Sequence, residues 1–146
     1  MPDKETLERA EEDKKEGKSP STQAGEFVRE EIEHIREGKH GARSAKQAIA
    51  IGLSKARRAG VKLPAPKKAS KETKEQAARD ARKGRSTGKA KPSAKRSRAA
   101  SKALKREGRS AASKLALSRH ARSSAAKRSA ASRSRSAKKA AATRKK

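Results

Sequence analysis

Only one stretch of this sequence can supply a hydrophobic core. Residues 21–64 contain the single phenylalanine, Phe27, and nearly all of the branched aliphatic side chains, which are Val28, Ile32, Ile35, Ile49, Ile51, Leu53, Val61 and Leu63. The rest of the chain is dominated by charged residues, alanine and serine, which have little apolar surface to bury. The sequence therefore predicts a small folded head that carries a long cationic tail.

The head is predicted to be a helical hairpin over residues 21–64. The first helix runs from about Thr22 to Glu37, and its apolar residues recur at helical spacing at Phe27, Val28, Ile32 and Ile35. A turn with two glycines follows at residues 38–43. Residues 44–47 then have the form of a capping box, and Gly60 marks the end of the second helix. Because two such helices make a marginal core, we expect a loosely held hairpin or a homodimer formed through it.

The flanking segments contain few large apolar residues. Residues 1–20 alternate in charge at helix spacing around Leu7, which predicts a helix with nothing to dock on that frays. Residues 65–92 are predicted to be a linker with one short helix after Ser70. Residues 93–146 form a low-complexity tail of Lys, Arg, Ala and Ser, predicted to be mostly disordered or conditionally helical. The predicted fold class is therefore all-α.

Charge is divided unequally along the chain. The formal net charge is +27, with −4 in residues 1–40 and +31 in residues 41–146. This asymmetry predicts a tail that binds a polyanion such as nucleic acid. In the tail, cations spaced by three and four residues would form one stripe on a helix, comprising Lys95, Arg98, Lys102, Lys105 and Arg109. The alternative is that such a stripe arises by chance in so basic a segment and only bulk charge matters.

Further candidate contacts lie at the end of the second head helix and at the end of the sequence, at Arg57, Arg58, Arg144, Lys145 and Lys146. We do not expect base-specific readout, because the tail offers no rigid element with varied polar groups. The hairpin loosely resembles a helix-turn-helix, but its second helix begins with only Lys46, Gln47 and alanines. Phe27 is the only aromatic residue and is assigned to the core, so single-strand stacking is disfavoured and double-stranded DNA is preferred over RNA.

Several classes of site are not expected. The absence of cysteine excludes disulfides and thiolate metal sites. His34, His40 and His120 are too dispersed to predict a metal site; the first two flank the turn, where with Glu30 or Glu37 they could hold only a stray cation. No catalytic set or cleft can be assembled, so we expect neither an enzyme, nor a cofactor, nor a small-molecule substrate.

No membrane association is expected either. The longest apolar run, AIAIGL at residues 48–53, is far too short to span a bilayer, and the first residues lack the apolar region of a secretory signal. The predicted location is the cytoplasm, in association with the nucleoid.

Two resemblances add to these expectations. The block GEFVREEIEHIREGKHGARSAKQAIAIGLSKARRAGVKLP, residues 25–64, resembles a family of small, basic, largely uncharacterised bacterial proteins, some labelled DNA-binding or plasmid-stabilisation-like. The stretch from residue 103 to 146 is similar to the C-terminal half of those proteins. The composition of the tail is also similar to linker-histone tails and bacterial histone-like proteins. The second resemblance implies DNA condensation without sequence preference.

The function predicted from the sequence is therefore non-sequence-specific binding of nucleic acid, foremost double-stranded DNA, through phosphate contacts. Two alternatives stay open. One is a basic protein associated with RNA or the ribosome, which would use the same cations. The other is a protein-interaction, plasmid-maintenance or stress protein whose hairpin docks a partner while the tail only confers solubility.

Overall fold

The computed structural model describes residues 1–86, 91 and 93–144. These residues form seven α-helices and one 3₁₀ turn, without strands, which confirms the all-α class. The elements in chain order are α1 (Lys4–Lys15), α2 (Pro20–Arg36), α3 (Ala45–Arg58), α4 (Lys71–Arg85), α5 (Ala94–Arg106), the 3₁₀ turn (Ser110–Ala112), α6 (Lys114–Ala126) and α7 (Ala130–Arg144).

Helices α2 and α3 form the predicted hairpin at the centre of the fold. The Ser44 hydroxyl caps α3 by accepting a hydrogen bond from the Gln47 amide at 3.2 Å, as the sequence predicts. Gly60 has a φ of 99° directly after α3, which is the left-handed conformation expected of a glycine that ends a helix. The two helices cross very closely at Gly52, where an added Cβ would lie 2.6 Å from the Val28 Cα.

The core consists of two clusters, one at each end of the hairpin. The first cluster combines α1 with the base of the hairpin and contains Ala10, Ala24, Phe27 and Ala56, flanked by Leu53, Val61 and Leu63. The second lies near the turn and contains Ile32, Ile35, Ala42, Ala48, Ala111 and Ala112, flanked by Val28 and Leu117. Two members of the second cluster, Ala111 and Ala112, and its flanking residue Leu117 come from beyond residue 93, so the core is not confined to residues 21–64.

Helix α1 packs against α2, whereas the sequence predicts a fraying helix with no docking surface. Thr6, Ala10 and Asp13 are its buried residues, and Ala10 lies in the cluster around Phe27. The Arg9 Nε also donates to Glu26 Oε2 at 2.7 Å. The docking face was missed because it contains small and polar residues in place of large aliphatic ones.

Helix α4 packs on α3 through a buried carboxylate. Asp80 is fully buried, and its oxygens accept hydrogen bonds from the Ser54 hydroxyl at 2.7 Å, the Arg58 Nε at 2.7 Å and the Gln76 amide at 3.2 Å. Burial by itself raises the pKa of the Asp80 carboxyl, but these hydrogen bonds outweigh burial and leave that pKa below its usual value. The ionised carboxylate is therefore part of the α3–α4 contact.

The prediction of a mostly disordered tail is wrong for residues 93–144, which form α5, the 3₁₀ turn, α6 and α7. Ala111 and Ala112 are buried against the hairpin, and Arg36 Nε of α2 donates to the Ala112 carbonyl at 2.9 Å. Helices α5, α6 and α7 nevertheless contain no buried residue. Alanine and arginine both favour the helix, which explains how these exposed segments become helical.

Candidate nucleic-acid interface

Four of the five predicted stripe residues lie on α5. Lys95, Arg98, Lys102 and Lys105 are exposed and share one face of this helix, over an axial length of about 15 Å. The fifth, Arg109, is separated from them, because α5 ends at Arg106 and Glu107 adopts an extended conformation. The sequence stripe is therefore a four-residue stripe in the structure, and we call these four residues the α5 stripe.

The α5 stripe has no acidic partner within the described residues. Glu107 is the only acidic residue of the chain after Asp80, and its Oε1 lies 3.7 Å from the Nε of Arg43. Arg98 Nε contacts only the Ala94 carbonyl of its own helix, at 3.3 Å. Ser97 and Ser101 lie beside the stripe and leave a shallow groove between the longer basic side chains. The face thus combines unneutralised charge with small hydroxyl donors, which suits a phosphate backbone.

The C-terminal end of α5 is fixed to the turn of the hairpin. The Gly41 amide donates to the Leu104 carbonyl at 2.9 Å, and the Ala42 amide donates to the Gly108 carbonyl at 3.1 Å. An added Cβ at Gly41 would lie 1.9 Å from the Glu107 carbonyl oxygen, so only glycine allows this approach. These contacts connect the α5 stripe to the folded head.

Arg57 and Arg58 have structural partners. Arg57 is only 7% exposed, and its guanidinium donates to the Leu63 and Pro64 carbonyls at 3.2 and 3.5 Å. Arg58 is bonded to Asp80, although its side chain is half exposed. Because Arg57 is buried, it is not placed to contact a phosphate. Arg58 could contact a phosphate only while it also keeps its ion pair with Asp80.

The remaining predicted contacts lie apart from the α5 stripe. Arg109 is exposed and its side chain passes beside Gly38 in the turn of the hairpin. Arg144 is exposed at the end of α7, whereas Lys145 and Lys146 lie outside the described residues. Helices α6 and α7 and the turn between them add exposed cations that the sequence did not single out, among them Arg119, Arg122, Arg128, Arg133, Arg135, Lys138 and Lys139. Spacing alone does not distinguish these residues from other members of a basic segment.

The structure also brings together two histidines that the sequence separates. His34 on α2 and His40 in the turn have ring centroids 6.2 Å apart, close to the buried Glu31. The sequence places these two histidines on either side of the turn and predicts no metal site from them; the structure adds that their rings lie close to each other and to Glu31. The signal that could have found them is the Glu-x-x-His spacing of Glu31 and His34 on one helix face, followed six residues later by His40.

The fold and its surface define an all-α protein with a packed helical head and exposed cationic helices. Residues 5–69 match the model of a family described as a family of unknown function (DUF6496). This match agrees with the resemblance to an uncharacterised family, but it gives no support to the DNA-binding, plasmid-stabilisation or histone-like labels. It covers α1, α2 and α3, and it does not extend to the C-terminal stretch included in that resemblance.

Comparison of the chain with curated proteins and with solved structures gave no match. In the described part of the chain, no helix combines the length and the apolar character needed to cross a membrane.

Proposed function

We propose that this chain binds double-stranded DNA through phosphate contacts, without reading base sequence, as a nucleoid-associated protein would. The observation that carries the proposal is the α5 stripe, in which Lys95, Arg98, Lys102 and Lys105 are exposed, share one face and have no acidic partner among the described residues. Cations arranged in this way displace counterions from a phosphate backbone, and this displacement provides binding free energy.

The distribution of ion pairs supports the same proposal. Most acidic residues of α1 and α2 are paired with nearby basic residues, as in Arg9–Glu26 at 2.7 Å and Lys55–Glu31 at 2.7 Å. Few carboxylates are therefore left to compete with phosphate for the cations of α5, α6 and α7. Because short exposed basic helices present few varied polar groups to base edges, the contacts favour the backbone over the bases.

The test is a salt titration of binding to a fluorescent duplex, followed by anisotropy. The full-length chain is used, because Ala111 and Ala112 are part of the core and a head fragment would lack them. We expect log K to fall linearly with log salt, with a slope of about −0.9 for each phosphate neutralised, and with equal affinity for two unrelated duplexes.

Three results would contradict this proposal. A clear preference for one duplex sequence would indicate base readout by the head. Complete displacement by a small excess of structured RNA would favour the RNA-associated alternative, which would use the same cations. The absence of binding to either polymer near physiological salt would favour a protein partner for the hairpin.

A further inference from the structure

Glu31, His34 and His40 form a compact cluster at the end of the hairpin. Glu31 and His34 are three residues apart on α2, so their side chains project from the same face, and His40 approaches from the turn that follows. One ligand atom from each residue lies within 4.8 Å of the ligand atoms of the other two. A carboxylate and two imidazoles form a donor set that suits zinc and related transition metals.

Glu31 is the buried member of this cluster and is not satisfied by hydrogen bonds. Its residue is only 1% exposed, and neither carboxylate oxygen accepts a hydrogen bond. The Lys55 Nζ lies 2.7 Å from Oε2, but that contact lacks hydrogen-bond geometry. Lys55 neutralises part of the charge of this carboxylate, but Oε1 has no hydrogen-bond partner, and burying such an oxygen costs free energy unless a further cation contacts it.

The orientation of His40 leaves a ring nitrogen free to ligate. Its Nδ1 lies 3.1 Å from the Gly41 carbonyl oxygen, which can only accept, so Nδ1 carries the proton and donates. The Nε2 atom then faces Glu31 Oε1 at 3.3 Å, outside hydrogen-bond geometry. When the His40 ring is neutral, the lone pair of its Nε2 therefore faces a lone pair of Glu31 Oε1. A backbone carbonyl that fixes the tautomer in this way is a common support for metal-binding histidines.

We propose that Glu31, His34 and His40 bind a divalent transition-metal ion, with Zn²⁺ as the best-suited ion. In a tetrahedral zinc site with bonds of about 2.0–2.1 Å, neighbouring ligand atoms are about 3.3–3.4 Å apart. The 3.3 Å between His40 Nε2 and Glu31 Oε1 matches that separation.

The charges around the cluster favour a dication. Asp3, Glu30 and Glu31 place three negative charges around the cluster, and Lys55, which is paired with Glu30 and Glu31, supplies one positive charge. Asp3 Oδ2 lies 3.0 Å from His34 Nε2 and supplies the carboxylate partner that metal-binding histidines commonly have. Lys39 also attracts Asp3 and Glu30, but its charge is balanced by its own ion pair with Glu37 at 3.0 Å.

A metal at this place would connect α2 to the turn that holds the end of α5. His40 directly precedes Gly41, whose amide bonds to the Leu104 carbonyl. Zinc should therefore raise the melting temperature of the chain, since a ligand that binds only the folded state stabilises it.

The test begins with the untagged full-length chain, treated with a chelator and then titrated with ZnCl₂ in a calorimeter. We expect one zinc per chain, and at least about tenfold weaker binding for His40→Ala and for the nearly isosteric Glu31→Gln. The matched control is His120→Ala, which removes the third histidine, on α6, where the ring lies 3.4 Å from the Ser124 hydroxyl. This variant should bind zinc as the unsubstituted chain does.

A second measurement needs no substitution and so does not depend on variants that fold. The chain contains three histidines, so NMR of their ring nitrogens should show zinc-induced shifts at two of them and none at His120. The proposal is overturned if zinc shifts no histidine or shifts His120 as strongly. It is also overturned if His40→Ala and Glu31→Gln bind zinc with unchanged affinity.

Discussion

Replacing the whole α5 stripe tests whether its arrangement contributes more than its charge. In this variant Lys95, Arg98, Lys102 and Lys105 all become glutamine, which keeps a long polar side chain and a high helix propensity. None of the four side chains is buried, and none has an acidic partner among the described residues. The substitutions should therefore leave the fold intact, which circular dichroism at 222 nm can verify.

The expected effect follows from the number of cations on the face. Each phosphate contact contributes about −0.9 to the slope of log K against log salt, so losing four should reduce the steepness of that slope by about 3.6. Between 50 and 200 mM salt, the unsubstituted chain should then lose about 100-fold more affinity than the variant loses. The assay is the anisotropy titration with a labelled duplex.

The matched control removes the same charge elsewhere. Lys67, Lys68, Lys71 and Lys74 are exposed residues before α4 or in its first turn, and changing all four to glutamine alters the net charge equally. If the α5 stripe contacts the backbone directly, this control should change the slope by less than about 1, the value of a single phosphate contact. Equal reductions for the two variants would show that bulk charge alone binds DNA and would refute the reasoning from the stripe.

Two further predictions concern stability and are measured by urea unfolding followed at 222 nm. Gly41→Ala should destabilise the chain by about 1–3 kcal/mol, because the added Cβ would overlap the Glu107 carbonyl. Gly25→Ala is the control: a Cβ at this position of α2 meets no other atom, so the higher helix propensity of alanine should stabilise the chain by about 0.5–1 kcal/mol. Equal effects would refute the close approach at Gly41. Asp80→Asn should cost about 1–3 kcal/mol at pH 7. The folded pKa of Asp80 is lowered, so its contribution to stability is complete above the unfolded pKa of 3.8 and is lost as pH falls through the folded pKa. The difference in unfolding free energy between the Asp80→Asn variant and the unsubstituted chain should therefore shrink at low pH. A difference that stays constant would refute this account.

The hairpin could be predicted because its signals are local. The spacing of Phe27, Ile32 and Ile35, the cap at Ser44 and the glycine after α3 all act within a few residues of one another. These signals depend on side-chain size and backbone conformation, both of which can be recognised in a sequence. The bounds and pairing of α2 and α3 follow from them.

The docking of α1 and of the segment around Ala111 could not be predicted in the same way. Alanine at helical spacing has the same pattern whether it is buried, as Ala10 is, or exposed, as Ala99 is. The decisive contact for α5 is the approach of Gly41 to Glu107, which joins residues far apart in sequence. The sequence predicts a stripe of five cations, four of which lie on α5; the separation of Arg109 and the attachment of α5 to the hairpin could not be predicted.

A chain with so few large apolar residues achieves its packing through small residues and buried ion pairs. Gly52 against Val28 and Gly84 against the Arg57 carbonyl are backbone approaches that no side chain would allow. The buried carboxylates of Glu31 and Asp80 are paired with two cations of α3, Lys55 and Arg58, so these acidic groups are neutralised near the core. The cations of α5, α6 and α7 are left to repel one another, which opposes a compact state at low salt. A bound polyanion removes that repulsion, so DNA should stabilise the chain most strongly at low salt, where its own charge destabilises it most.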